Sequence, residues 1–278
     1  MLVQMETGQL LTMPSREIKK IEPSNTLILK IGTKQFSFVL ENSTDKDIID
    51  FYDVNFDNPL DENEIAKELE VRLKKFLKDF RNVFKVKLIV DNNLSTLVPK
   101  SLFDKKLCLE YLKYNVRLIK NDSASFDNIE EIDGVNVYLP YTNVNNYLFD
   151  NFGEFNYFHY STLFIKEGVK YSQKVKNSAN LNFRENCFDI VIFKNKKLMF
   201  YNSFDIQTKE DVLYFILSTF QENKLKLEKT HFLLSGKIEE NDDVFVFLKS
   251  FHRKISISKQ EILISSGIKN IDSVMLCA

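Results

Sequence analysis

FDIVIFKNKKLMFYNSFDIQTKEDVLYFIL, residues 188–217, runs from strand to tight turn to strand to capped helix without a break. Cys187–Phe193 and Lys197–Phe204 are rich in apolar, aromatic and β-branched residues and read as paired strands joined at Lys194–Lys196. Ala179–Arg184 adds a third strand to this meander, with a turn at Glu185-Asn186. Thr208 and Asp211 then form a capping box, and the helix they open carries Val212, Leu213, Ile216 and Phe220 on one face. Thr230–Leu234 follows as a buried strand, ended at Ser235-Gly236.

The same order of elements occurs earlier in the chain. Thr26–Ile31 and Gln35–Leu40 read as a hairpin turned at Gly32-Thr33-Lys34, and Ile49–Phe56 alternates apolar and polar residues as a third strand. Asp61 and Glu64 make a capping box for a helix whose Ile65, Leu69, Leu73, Phe76, Leu77 and Phe80 form one apolar stripe. Val86–Val90, bounded by Asp91-Asn92-Asn93, reads as a short buried strand. Further on, the pattern predicts a helix over Pro99–Tyr114, a strand over Val135–Leu139, a short helix over Asn143–Phe152 and a connecting helix over His159–Val175 with Gly168 inside it. Two copies of a meander-then-helix unit imply a duplicated α/β fold, with a ligand cleft between the halves.

Composition narrows the class. In 278 residues, 44% hydrophobic and 28% charged, there is material for two ordinary cores, and the 38 basic and 39 acidic residues cancel, so no overall basic field draws nucleic acid. Three scattered cysteines, Cys108, Cys187 and Cys277, make no CxxC pair and suit a reducing compartment. The opening MLVQMETGQLLTMPSREIKK has no basic-then-apolar secretory pattern, and no apolar run reaches the ~20 residues of a spanning helix. A cytoplasmic protein with no membrane role is expected.

A meander followed by helix, strand, helix and strand, carried out twice, is the plan of the actin-like ATPase fold, whose halves are ribonuclease H-like. Residues 198–217, LMFYNSFDIQTKEDVLYFIL, with the later LLSGKI, resemble an uncharacterised bacterial family, a domain of unknown function assigned that fold. The resemblance runs from about Ser24 to Ser258 and implies a mixed five-stranded sheet flanked by helices in each half. On this basis residues 22–158 form the first half, 159–278 the second half with the connecting helix, and 1–21 an N-terminal extension. In working members of the superfamily, a D-x-G turn in each half holds phosphate and Mg²⁺. Here the matching turns are Lys30-Ile31-Gly32-Thr33, where a lysine replaces the acid, and Glu185-Asn186-Cys187, which has no glycine. Ser235-Gly236 stands where the superfamily has a double glycine beside adenosine.

No catalytic motif is complete. A two-metal nuclease needs three carboxylate positions, of which Glu68 and Asp91 supply two and the strand of Lys30 cannot supply the first. His159, His231 and His252 have no spacing that puts two ligands on one helical face. Asn202 and Asp211 read as a strand-end residue and a helix cap. Lys170, Lys174, Lys176 and Arg184 lie near aromatics but are diluted by Glu167 and Glu185, which argues against a nucleic-acid surface. The reading is a non-catalytic, pseudo-ATPase scaffold with an unidentified protein partner and no cofactor. The alternative is an ATP- and Mg-dependent switch using Lys30, Gly32, Thr33, Glu185, Ser235 and Gly236, with Asp91 or Glu185 as the acid. In that switch Lys30→Ala abolishes nucleotide binding, and in the scaffold it does little.

Overall fold

The structure is a computed structural model and describes residues 25–78, 83–184, 186–258, 261–264 and 267–278. The N-terminal extension, Phe80 and Glu185 lie outside those residues. The first half opens with β1 (Asn25–Gly32), β2 (Gln35–Asn42), β3 (Ile48–Asn55), α1 (Glu62–Phe76) and β4 (Val83–Asp91). It continues through β5 (Ser95–Pro99), α2 (Cys108–Leu112), β6 (Ser125–Ile129), β7 (Gly134–Tyr138), α3 (Thr142–Phe152) and β8 (Asn156–His159), after which the connecting helix α4 (Tyr160–Ser172) leads into the second half. The second half holds β9 (Asn177–Phe183), β10 (Cys187–Lys194), β11 (Lys197–Asp205), α5 (Lys209–Glu222), β12 (His231–Gly236), α6 (Asp243–Phe251) and β13 (Ile255–Ile257). A hairpin of β14 (Glu261–Ile264) and β15 (Gly267–Asn270) and a 3-10 turn over Ser273–Cys277 follow.

Two five-stranded sheets have the same plan. Their orders are β3-β2-β1-β4-β8 and β11-β10-β9-β12-β13, each an antiparallel meander extended by parallel strands. The expected capping boxes at Asp61 and Thr208 are present, and each helix buries the stripe its spacing dictates: Ile65, Leu69 and Leu73 on α1, Val212, Ile216 and Phe220 on α5.

Strand alternation decides what lies between the sheets. Leu27, Leu29 and Ile31 of β1 face outward to α1 and α3, whereas Ile28 faces inward. That inner face packs on Tyr160, Leu163, Phe164 and Ile165 of α4, on Val191 and Phe193 of β10, and on Val274 and Met275 near the chain's end. Helix α4 and the last turn therefore form a middle layer shared by both sheets, while α5 and α6 cover the outer face of the second. Gly168 permits the close fit, because a Cβ there would stand 2.8 Å from both Val191 and Phe193 side-chain atoms.

The segment before α3 departs from expectation. In place of a helix over Pro99–Tyr114 there are 3-10 turns at Lys100–Leu102 and Lys105–Leu107 and a five-residue α2. Pro99 is held in β5 opposite Gly134, and the Asp104 carboxylate accepts the Lys106 N–H, so the backbone is committed to turns. The strand expected at Val135–Leu139 forms, but in a separate antiparallel sheet, β5-β7-β6, that docks on α4. Asn136 donates to the Ser161 and Thr162 hydroxyls, and Asp127 accepts from Thr162 Oγ1, Tyr138 Oη and the His159 backbone. The fifth strand of the first sheet is β8, in a stretch the periodicity left unassigned.

His159 caps α4. Its Nδ1 accepts the Ser161 N–H at 3.2 Å, which places the ring proton on Nε2, 3.3 Å from Asn92 Oδ1. Burial pushes its pKa down to about 4, against a weaker opposing pull from Asp91. The unfolded chain therefore binds the proton first, and stability is full above ~6.5 and falls as the pH drops toward 4. Urea unfolding at pH 7 and pH 4 should show the wild type losing about 3 kcal/mol more than His159→Asn, which keeps a capping side chain but cannot titrate. Equal losses would show that His159 stays protonated or solvated in the fold.

Candidate functional site

Between the sheets lies a cleft of about 440 Å³, lined by β1–β3 on one side and by β9, the turn after β12 and the 271–273 segment on the other. Its polar floor begins with Lys30, whose side chain points inward from β1 and is only 2% exposed. The ammonium donates to Asp272 Oδ2 at 2.6 Å. Burial works to lower its pKa, but Asp272 and Asp91 outweigh it and hold the group above its ordinary value, so Lys30 stays charged.

Arg184, the residue after β9, is a second, half-buried cation. Its two terminal nitrogens bridge the halves, Nη1 to Asp91 Oδ1 of β4 at 2.9 Å and Nη2 to Asp189 Oδ1 of β10 at 2.8 Å. Burial opposes its charge, and Asp91 and Asp189 restore it. Both cations lie over the Tyr160 ring, Lys30 Nζ at 5.7 Å and Arg184 Cζ at 5.2 Å from its centre. At the rim, Lys237 reaches across to Asn55 Oδ1 at 3.0 Å.

Of the residues the sequence pointed to, Lys30, Ser235 and Gly236 line this cleft and Gly32 and Thr33 do not, while Glu185 lies outside the described residues. Gly32 is packed against the Asp91 carbonyl, which a Cβ would approach to 3.1 Å. The Ser235 hydroxyl donates to Asn182 Oδ1 at 3.0 Å, and Gly236 has φ +81° with the Phe183 carbonyl 2.2 Å from where a Cβ would sit. Strand geometry alone accounts for that glycine. Glu68 pairs with Arg72 on α1, and among the described residues no group of three or more His, Cys, Asp or Glu could hold a metal. Asn202 accepts the Ser203 N–H and Asp211 caps α5, as read. Arg184, grouped with surface lysines in the sequence, is instead the bridge between the halves.

Sequence reasoning missed Asp272, Asp189 and Tyr160. A single charge inside each apolar run, Lys30 in TLILKIG and Asp189 in FDIVIF, was the available signal, because a buried charge demands a partner.

The two sheets of identical order, facing each other across this cleft, place the chain among proteins of the actin-like ATPase fold. A Bacteroides thetaiotaomicron protein of that fold and unknown function superposes with a TM-score of 0.73 at 18% identity, covering 92% of this chain and 96% of that one. Residues 15–255 match the family described as "Protein of unknown function (DUF3822)", and the chain belongs to that family. The structure titled "PilM-PilN type IV pilus biogenesis complex" shares the fold with a TM-score of 0.59 at 10% identity, over 86% of this chain and 89% of that one. No curated protein shows significant sequence similarity.

Lys30 is no bystander even in a scaffold: removing it strands Asp272 in the interior. Lys30→Ala should cost about 3–5 kcal/mol by urea unfolding, whereas Lys30→Met with Asp272→Leu should lose much less, because no charge is left unpaired. A loss under about 1 kcal/mol for Lys30→Ala would mean that the pair is solvated. Gly236→Ala should lose about 2 kcal/mol or more in the same assay, from positive φ and the carbonyl contact.

Proposed function

We propose that this chain is a non-catalytic actin-like module that holds a segment of a partner protein, acting in the cytoplasm without nucleotide or metal. The observation that carries this is the internal use of the cleft's two cations, Lys30 and Arg184. Where a nucleotide's phosphates would need positive charge, Lys30 is taken by Asp272 and Arg184 by Asp91 and Asp189. A phosphate would have to displace a carboxylate from a buried ion pair, leaving that carboxylate uncompensated. The cleft is also crossed by the Lys237–Asn55 contact.

The PilM–PilN complex supports a protein partner by precedent in the fold, as a two-protein assembly on the same architecture. No helix among the described residues is long and apolar enough to cross a membrane, in keeping with a cytoplasmic partner.

Isothermal titration with ATP, with and without Mg²⁺, should give no binding heat, and saturating ATP should leave the melting temperature in place. A ligand at ~100 times its Kd adds about 2.7 kcal/mol, which for a chain of this size raises the melting temperature by roughly 5 °C or more. Such a shift, with matching heat, would overturn the proposal in favour of a nucleotide switch.

A further inference from the structure

We infer that the outer surface of residues 100–120 is a docking face for an anionic lipid bilayer, held at the headgroup level by cations and by apolar side chains that dip beneath it. The face is separate from the cleft, none of whose lining residues it contains. Strand alternation puts it on the outside. Asn136 of β7 points to Ser161 and Thr162 of α4, so Val135 and Val137 point the other way, where Cys108, Leu112 and Val116 pack on them. The segment 100–120 thus covers the small sheet on one side only, and what it does not turn to the sheet it turns to solvent.

The side chains it turns outward are unlike the rest of the surface. The three most exposed large apolar residues among the described residues all lie here: Tyr114 at 82%, Ile119 at 70% and Leu102 at 69%. Leu107 and Leu109 add to them. Exposed apolar side chains are ordinary when scattered, but gathered on one short segment they mark a contact surface.

The same stretch is basic, in a chain whose net charge is −1. It carries Lys100, Lys105, Lys106, Lys113, Arg117 and Lys120 against Asp104 and Glu110. Lys100 is taken by Glu130 and Lys113 by Glu110, and Lys105 lies 5.7 Å from the centre of the Phe126 ring. The exposed side chains of Lys106, Arg117 and Lys120 have no ion-pair or hydrogen-bond partner among the described residues. The neighbouring acids do not cancel them. Asp104 accepts the Lys106 N–H and Asp122 the Ile119 N–H, each fixing a turn of the backbone. Glu131 and Asp133 belong to the β6–β7 turn beside Lys100, whereas Asn115, which leads to Arg117 and Lys120, is bonded to Thr96 toward the other end of the sheet.

The combination selects the partner. An anionic bilayer sets negative headgroups over hydrocarbon, so cations meet phosphate while leucine and isoleucine side chains reach below it and lysine and arginine stems lie along the boundary. A nucleic acid is met by aromatic rings on which its bases stack, and here Tyr114 is the one exposed ring beside four aliphatic side chains, Leu102, Leu107, Leu109 and Ile119. A surface attachment needs no spanning stretch, the feature whose lack led to the expectation of no membrane role.

The test is flotation of the full chain with vesicles of phosphatidylcholine and phosphatidylglycerol at about 7:3, against phosphatidylcholine alone, at ~0.1 M and ~0.5 M salt. At the lower salt the anionic vesicles should bind the protein at least tenfold better than the neutral ones, and binding should fall at the higher salt. Lys106→Glu/Arg117→Glu/Lys120→Glu should weaken it at least tenfold, while Lys67→Glu/Lys226→Glu/Lys229→Glu, the same charge change elsewhere on the surface, should leave it unchanged. Leu102→Ser/Ile119→Ser should weaken it at least threefold with all cations in place. If thermal melting shows the first triple variant unfolded, Lys106→Gln/Arg117→Gln/Lys120→Gln carries the same expectation. No binding to anionic vesicles at about 1 mM lipid, equal loss in both triple variants, or full binding by the Leu102/Ile119 double variant overturns the inference. Oligouridine or poly-glutamate binding more tightly than the vesicles also overturns it, in favour of RNA or an acidic protein.

Discussion

A half-buried guanidinium held between two buried carboxylates is the constraint on which the arrangement of the halves depends. Arg184 leaves the end of β9, and its partners Asp91 and Asp189 belong to different sheets, so its two bonds fix one sheet against the other. Such a pair contributes little net stability against an apolar replacement, yet a shift that parts the buried carboxylates of Asp91 and Asp189 from the guanidinium is penalised. The pair therefore acts chiefly on which packing is allowed. Tyr160 is placed by the same logic, since its ring contacts both Arg184 and Lys30 and its hydroxyl accepts from Asn182 at 2.5 Å.

The apolar middle layer agrees with this charge network. Helix α4 sits close enough to β10 that position 168 has no room for a side chain, and the same helix presents Leu163 and Phe164 to the layer shared with β1. Spreading the cleft would expose apolar surface and part ion pairs together, so the two costs add. The outer strands are also guarded. Asp50 takes the Phe51 N–H in β3, and Asn202 takes the Ser203 N–H in β11, which removes one donor from each sheet edge that another chain's strand could use.

How far the sequence could be read follows from the range of each interaction. Capping boxes at Asp61 and Thr208 and the hairpins either side of Gly32 and Asn195 are settled within a few residues, and all appear where their spacing puts them. Of the β5-β7-β6 sheet only β7 was legible, because SFDNI has little strand character by itself and Asp127 finds its partners far away in sequence, in Tyr138, the His159 backbone and Thr162. Strand β8 is four residues long and gains its identity from pairing with β4. At the candidate site, Lys30, Ser235 and Gly236 could be placed near a cleft from the family plan alone. Their partners could not, since Lys30 and Asp272 stand 242 positions apart and nothing local marks the acid.

That separation bears on how the protein is made. β1 carries a lysine whose counter-ion is translated 242 residues later. At about 5–20 residues per second, the wait is on the order of tens of seconds. Val274 and Met275, which complete the middle layer, arrive with Asp272. The first sheet can pair its strands and dock α1 early, but its inward face stays exposed and its lysine hydrated until the segment around Asp272 has been made. Consolidation of the middle layer thus waits on the segment that brings Asp272, Val274 and Met275.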